Sequence, residues 1–242
     1  MDIVSYINGI SDNRLIGKGY EKKCYNFGNV VLLESRYLTK KNIDDEVENT
    51  AKVKSVLDSI DVNSYKIYDY KIYNDKFYIL ESKVFGDALQ SIDFDNDISV
   101  YIDRLKVLDN IDILKKFVSD CFLILDNGLN IDFGMPSNFL FDGNKISFID
   151  LGVGDNSIDR RYVCFYILHS LIFTYSDVNC DDDISKISFY IHSIYKKLVL
   201  VFKDLGYTEE MYSFSPNGDI MSFIDRKISR FKLNSNNKIN SI

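Results

Sequence analysis

The sequence predicts an α+β fold in two lobes, an antiparallel sheet with one helix followed by a mainly helical half that carries a short hairpin. Three observations lead there. Strand-like runs broken by turn signals fill the first third of the chain. Apolar residues fall at helical spacing in the long segments of the second half. Between two of those segments lies one further strand pair, bounded by Asp, Pro and Gly.

In chain order, "NRLIGKGYEKKCYNFGNVVLLESRYL" reads as two strands turning at Phe27-Gly28-Asn29, because Gly-Asn between apolar runs supplies the positive φ of a tight hairpin. "NIDDEVENTAKVKSVLDSI" reads as the helix, with Val47, Ala51, Val53 or Lys54, and Val56 or Leu57 at helical spacing and Asn42 or Asp44 as its cap. "YKIYDYKIY" and "KFYILESKV" are the next strands, joined at Asn74-Asp75. In "DNIDILKKFVSDCFLILDNG", Ile111, Leu114, Val118, Cys121, Phe122 and Leu125 form one helical face stopped by Gly128. "NFLFD" and "KISFID" form the short pair, turning at Gly143-Asn144. "YVCFYILHSLIFTY" is a buried helix too short for a membrane span. "ISKISFYIHSIYKKLVLVFKDLG" repeats the helical pattern up to Gly206, and the tail from 234 to 242 is expected to be disordered.

Hydrophobic residues make up 46% of the 242, enough for a real core. A net charge of −7 argues against a nucleic-acid partner, which needs a basic surface. Cys24, Cys121, Cys164 and Cys180 form no Cys-x-x-Cys pair. With no signal-peptide pattern in front of them, they read as reduced thiols of a cytoplasmic protein with no membrane attachment. His169 and His192 have no partner at metal-binding spacing.

The segment richest in chemistry is "NIDFGMPSNFLFDGNKISFIDLGVG", Asn130 to Gly154. Together with "IGKGYEKKCY" near the start, its motif order resembles the protein-kinase-like superfamily, which includes small-molecule kinases of the aminoglycoside and choline type, over roughly residues 15–173. The resemblance implies a two-lobed fold with lobes at 1–83 and 84–233, ATP as nucleotide, and Mg²⁺ or Mn²⁺ as cofactor. Gly17 and Gly19 match the first glycines of the glycine-rich loop, and Cys24-Tyr25 match its Val-Tyr end. The strand "NVVLLES" lacks the family's phosphate-holding lysine and has Leu33 or Glu34 there. The with-no-lysine kinases also lack it and supply one from the third-glycine position, which is Lys22 here. Adjacent strands lie only about 4.8 Å apart, so that ammonium reaches the same space. Glu48, with Glu46 as second choice, would pair with it. Glu81-Ser82-Lys83 would be the backbone that pairs with adenine, followed by Gly86.

In the same resemblance Asn138 of Pro136-Ser137-Asn138 and Asp150 of Asp150-Leu151-Gly152 match the metal ligands. Phe133 stands where the family has its catalytic Asp, and Asp132, one residue earlier, is the candidate to orient an acceptor hydroxyl. No His-Arg precedes it, and the connection after Gly152 is too short for the activation segment of eukaryote-type protein kinases. The expected activity is phosphotransfer from Mg-ATP to an unidentified small-molecule or protein substrate. Two alternatives stand beside it: a pseudokinase serving as a nucleotide- or protein-binding regulatory module, and transfer of another part of the nucleotide such as AMP.

Overall fold

A computed structural model describes residues 2–18, 22–35, 40–89, 98–153, 159–172, 181–216 and 218–239. In chain order its elements are α1 (Ile3–Asn8), β1 (Leu15–Lys18), β2 (Lys22–Asn26), β3 (Val30–Ser35), α2 (Lys40–Leu57), β4 (Ile67–Tyr73) and β5 (Lys76–Ser82). Then follow β6 (Asp87–Ala88), α3 (Ile98–Leu108), α4 (Ile111–Asp126), β7 (Leu129–Asn130), β8 (Phe139–Phe141), β9 (Ile146–Phe148) and β10 (Gly152–Val153). The last are α5 (Val163–Ile172), α6 (Asp181–Asp204), α7 (Glu210–Ser213), β11 (Phe214–Ser215), β12 (Gly218–Asp219) and α8 (Ile220–Ile239). The fold is α+β. The chain divides into two compact units, Met1–Phe85 with Leu123–Ile131 and Ser147–Asp155, and Gly86–Phe122 with Asp132–Ile146 and Asn156–Ile242.

The first unit is built on a five-stranded antiparallel sheet of order β1-β2-β3-β5-β4. Strand side chains alternate between faces, so the register sorts every residue. Tyr25, Leu32 and Leu80 stand in one row, with Val30 and Tyr78 beside them on the same face. That face is buried under Ile3 and Ile7 of α1. Leu32 and Leu80 are wholly buried, each worth roughly 1.5–3 kcal/mol relative to exposure. Glu34 shares this face and is kept there by Lys76 Nζ at 2.8 Å and the Tyr25 hydroxyl at 3.3 Å. The opposite face carries Lys22, Cys24, Leu33, Ile79 and Glu81. The expected turns form: Asn74 and Asp75 both take positive φ (49° and 58°), and Gly28 takes φ 80°.

The second unit packs helices around Leu114, Phe117, Val118 and Phe122 of α4 and Ile187, Ile191, Ile194 and Leu198 of α6, all buried. Phe122 meets Phe202 edge-on and stacks on Tyr207, just past the Gly206 helix stop. In the same unit β6 pairs with β8, and Gly86 comes so close that an added Cβ would lie 2.7 Å from the Phe141 carbonyl carbon.

Several elements differ from expectation. α2 starts at Lys40, ahead of both Asn42 and Asp44. α1 and α3 are added helices. α8 runs to Ile239, through most of the tail read as disordered, on a buried stripe of Ile220, Phe223, Ile224 and Ile228. Cys24, Cys121 and Cys164 are free thiols, while Cys180 and residues 173–175 lie outside the described residues. Among the described residues no helix is long and apolar enough to cross a membrane.

Gly86 has φ +127° as well as the backbone contact, so Gly86→Ala is expected to lower stability by more than about 2 kcal/mol. Gly17→Ala meets only the Cys24 Cβ at 3.7 Å and should leave the urea midpoint unchanged or slightly raised. Equal midpoints for the two variants would contradict this packing.

Candidate active site

The alternation of β2 sends Lys22 and Lys23 to opposite faces. Lys23 joins the buried Glu34, its Nζ 3.9 Å from Oε1. Lys22 reaches the other face, where its Nζ lies 3.4 Å from Asp150 Oδ1 and 3.5 Å from Glu46 Oε1. On β3, Leu33 shares the Lys22 face and Glu34 does not. The Lys22 ammonium therefore stands on the same face of the sheet as Leu33, one strand over.

The acidic partner from α2 is Glu46, which corrects the choice of Glu48. Two residues apart on a helix is a turn of about 200°, and Glu48 points to solvent, where it pairs with Lys52 at 2.8 Å. Glu46 sits on the stripe of the buried Ile43, Thr50 and Val53, which faces inward.

Asp150 is 64% exposed at its side chain and takes φ 55°, a left-handed conformation. The residues around it are fixed by the α2–β4 connection. Phe148 N–H donates to Asn63 O at 2.8 Å, and the Ser64 hydroxyl donates to Phe148 O at 3.2 Å. The hydroxyl of the buried Tyr65 donates to Leu151 O at 3.3 Å. Beyond it, β10 pairs with β7.

Glu81 lies on the Lys22 face of β5 and is partly buried. Burial pushes its carboxyl up to about 8, Lys22 opposing and Asp150 adding to the rise. Burial alone would lower the Lys22 ammonium, but Asp150, Glu46 and Glu81 outweigh it and raise it. Cys24 on the same face is pushed up to about 11, chiefly by burial and then by Glu81, so it is a neutral thiol.

Two of the main-chain donors expected to face adenine in 81–83 are already used within the fold. β5 is an interior strand, and its donors are taken on both sides: Ser82 N–H by Lys66 O at 2.8 Å, Lys83 N–H by Asn29 O at 2.9 Å. The Lys83 ammonium lies 5.5 Å over the Phe85 ring. The Glu81 side chain points to the Lys22 face. Gly17 pairs with Cys24 across β1 and β2, and Gly19 lies outside the described residues.

Asp132 and Asn138 belong to the second unit. Asp132 is exposed, and its Oδ1 accepts Gly134 N–H at 2.9 Å, closing a tight turn. Phe133, at the aligned position of the family's catalytic Asp, is buried between Phe139 and Tyr166. Its carbonyl accepts the Ser170 hydroxyl at 3.0 Å. The neighbouring Asp132 presents its carboxylate to solvent. Asn138 ends a single 3₁₀ turn, its N–H donating to Met135 O at 2.8 Å.

Among the described residues no group of three or more His, Cys, Asp or Glu side chains gathers as a metal cage. Comparison with protein-family models and with curated proteins finds no match to this chain.

The unfolded chain releases the Glu81 proton near 4.5, the folded chain near 8, so between these values folding takes up a proton and stability falls as pH rises. Glu81→Gln is expected to flatten this decline in urea midpoints measured from pH ~5 to ~8. Parallel wild-type and variant curves would show that Glu81 ionises normally.

Proposed function

We propose that the chain is a two-lobed, protein-kinase-like phosphotransferase that uses ATP with Mg²⁺ or Mn²⁺ and acts on a hydroxyl of a small-molecule or protein substrate. The observation that carries this reading is the Lys22 ammonium on β2, within 3.5 Å of both Glu46 on α2 and Asp150 before β10. Such an arrangement suits a lysine that holds phosphate, a helix glutamate that orients it, and an aspartate that holds metal. Gly17 and Gly19 would cover the phosphates. Asp132 would orient the acceptor and Asn138 would add a metal ligand, roles that rest on the motif resemblance.

The donor chemistry at Asp150 fits a hard cation. An exposed carboxylate whose ammonium contact among the described residues is as long as 3.4 Å keeps lone pairs for a metal. Mg²⁺ takes one or two carboxylates plus phosphate and water oxygens, so it needs no protein cage. When bound, the metal supplies positive charge against the transferring phosphoryl group. Glu46, Glu81 and Asp150 against Lys22 would otherwise repel a polyphosphate, and the neutral state of Glu81 lessens that repulsion.

A pseudokinase is the second reading. The committed donors of Ser82 and Lys83 favour it, because they remove two main-chain contacts available to a base.

A ligand at a hundredfold excess over its Kd stabilises a folded protein by about 2.7 kcal/mol, which is a melting shift of several degrees at this size. The expected result is a shift with ATP that requires Mg²⁺ or Mn²⁺. Asp150→Asn should abolish phosphotransfer and the metal-dependent part, and Asn138→Ala should remove most of that part. Lys22→Met should weaken ATP binding or stop turnover, while Lys23→Met does little. A metal-independent shift would favour a nucleotide-binding pseudokinase, and no shift at millimolar ATP with either metal would sink both nucleotide-binding readings, leaving a protein-binding module.

A further inference from the structure

We propose that Tyr65 and Ser64, in the connection between α2 and β4, are positioning residues that present the Asp150 carboxylate to the metal. This rests on the phosphotransferase reading. Asp150 is held in the left-handed region at φ 55°, a conformation that costs a side-chain-bearing residue of the order of 1 kcal/mol and persists only where neighbours enforce it.

Those neighbours are at hand. Phe148, two residues before Asp150, is tied at both its N–H, to Asn63 O, and its carbonyl, by the Ser64 hydroxyl. Leu151, one residue after, is tied at its carbonyl by the Tyr65 hydroxyl, and Gly152 and Val153 pair with Asn130 and Leu129. Only Ile149 and Asp150 lie between these ties, and Asp150 is the exposed one of the two. Phe148 and Leu151 are buried, and the Asp150 side chain emerges toward Lys22. A buried phenol needs a polar partner, and a phenylalanine in its place would fill the same space while freeing the Leu151 carbonyl. The hydroxyl is thus the part of Tyr65 that acts on the loop.

Residues that orient a metal ligand through a hydrogen bond commonly change metal affinity by about 10–100-fold when removed. A packing role alone would change melting temperature without that effect. Tyr65→Phe and Ser64→Ala test this, with Ile187→Val in α6 as a variant of similar mild destabilisation far along the chain. Two quantities are measured: hydrogen exchange of the 148–153 amides in the unliganded protein, and the Mn²⁺ dependence of the ATP-induced melting shift.

The expected result is faster exchange confined to 148–153 in Tyr65→Phe and Ser64→Ala. The Mn²⁺ concentration at half effect should rise about tenfold, with any metal-free ATP shift retained. Exchange unchanged at 148–153, or raised equally by Ile187→Val, overturns the proposal. Selective exchange with an unaltered Mn²⁺ dependence also overturns it, since the loop would then be fixed without bearing on the metal. Selective exchange in a protein whose wild type shows no metal-dependent shift overturns the phosphotransferase reading instead, and the metal role with it.

Discussion

The two-residue repeat of an extended strand is the constraint on which this protein's first unit depends. On β2 it sends Tyr25 into the core beneath α1 and Lys22 to the opposite face, with no freedom to exchange them. A slip of one residue would bury Lys22 and Cys24 against Ile3 and Ile7 and expose Tyr25. The apolar row of Tyr25, Leu32 and Leu80 therefore fixes the register, and the register fixes where the ammonium goes. The core and the candidate site are set by the same pairing.

The site itself does little for stability. Exposed ion pairs are worth roughly 0–1 kcal/mol, and Asp150 is largely exposed. Three acidic side chains around one lysine form a surplus that folding alone has no use for. Burial raises the Glu81 carboxyl to about 8, which shifts it toward the neutral form and reduces the surplus, at the expense of stability above its ordinary pKa. On the proposed phosphotransferase reading, the cation that accompanies the nucleotide would meet this surplus. Contrast Glu34 on the other face: it is buried, but Lys76 and Tyr25 satisfy it directly, and it reads as part of the fold.

Much of this was legible in the residues. Gly28, Asn74 and Asp75 announce their turns because few residues accept positive φ, and the strand runs between them alternate clearly. The loop motif pointed to Lys22, whose ion pairs with Glu46 and Asp150 show where its ammonium lies. Glu46, the second choice from the sequence, falls on the buried stripe of Ile43, Thr50 and Val53 in α2, which a pattern centred on Val47 and Ala51 only partly follows. Other features depend on contacts distant in sequence. That β5 lies inside the sheet, and so has its Ser82 and Lys83 donors occupied, follows from strand order. The ties from Asn63, Ser64 and Tyr65 to Phe148 and Leu151 span more than eighty residues and leave no local pattern. α1 has six residues, too few for a periodic signal.

The central claim is that Lys22 and Asp150 share one face and interact. A double-mutant cycle on stability at low ionic strength tests it most directly, using Lys22→Met and Asp150→Asn, since screening would hide an exposed pair. Asn tolerates the left-handed backbone at position 150, so the substitution removes charge without adding strain. Lys23→Met with Asp150→Asn is the control, because Lys23 lies on the Glu34 face. The account predicts a coupling of about 0.5–1 kcal/mol for the Lys22 pair and none for the Lys23 pair. Additive Lys22 and Asp150 effects, or equal coupling in both cycles, would contradict it.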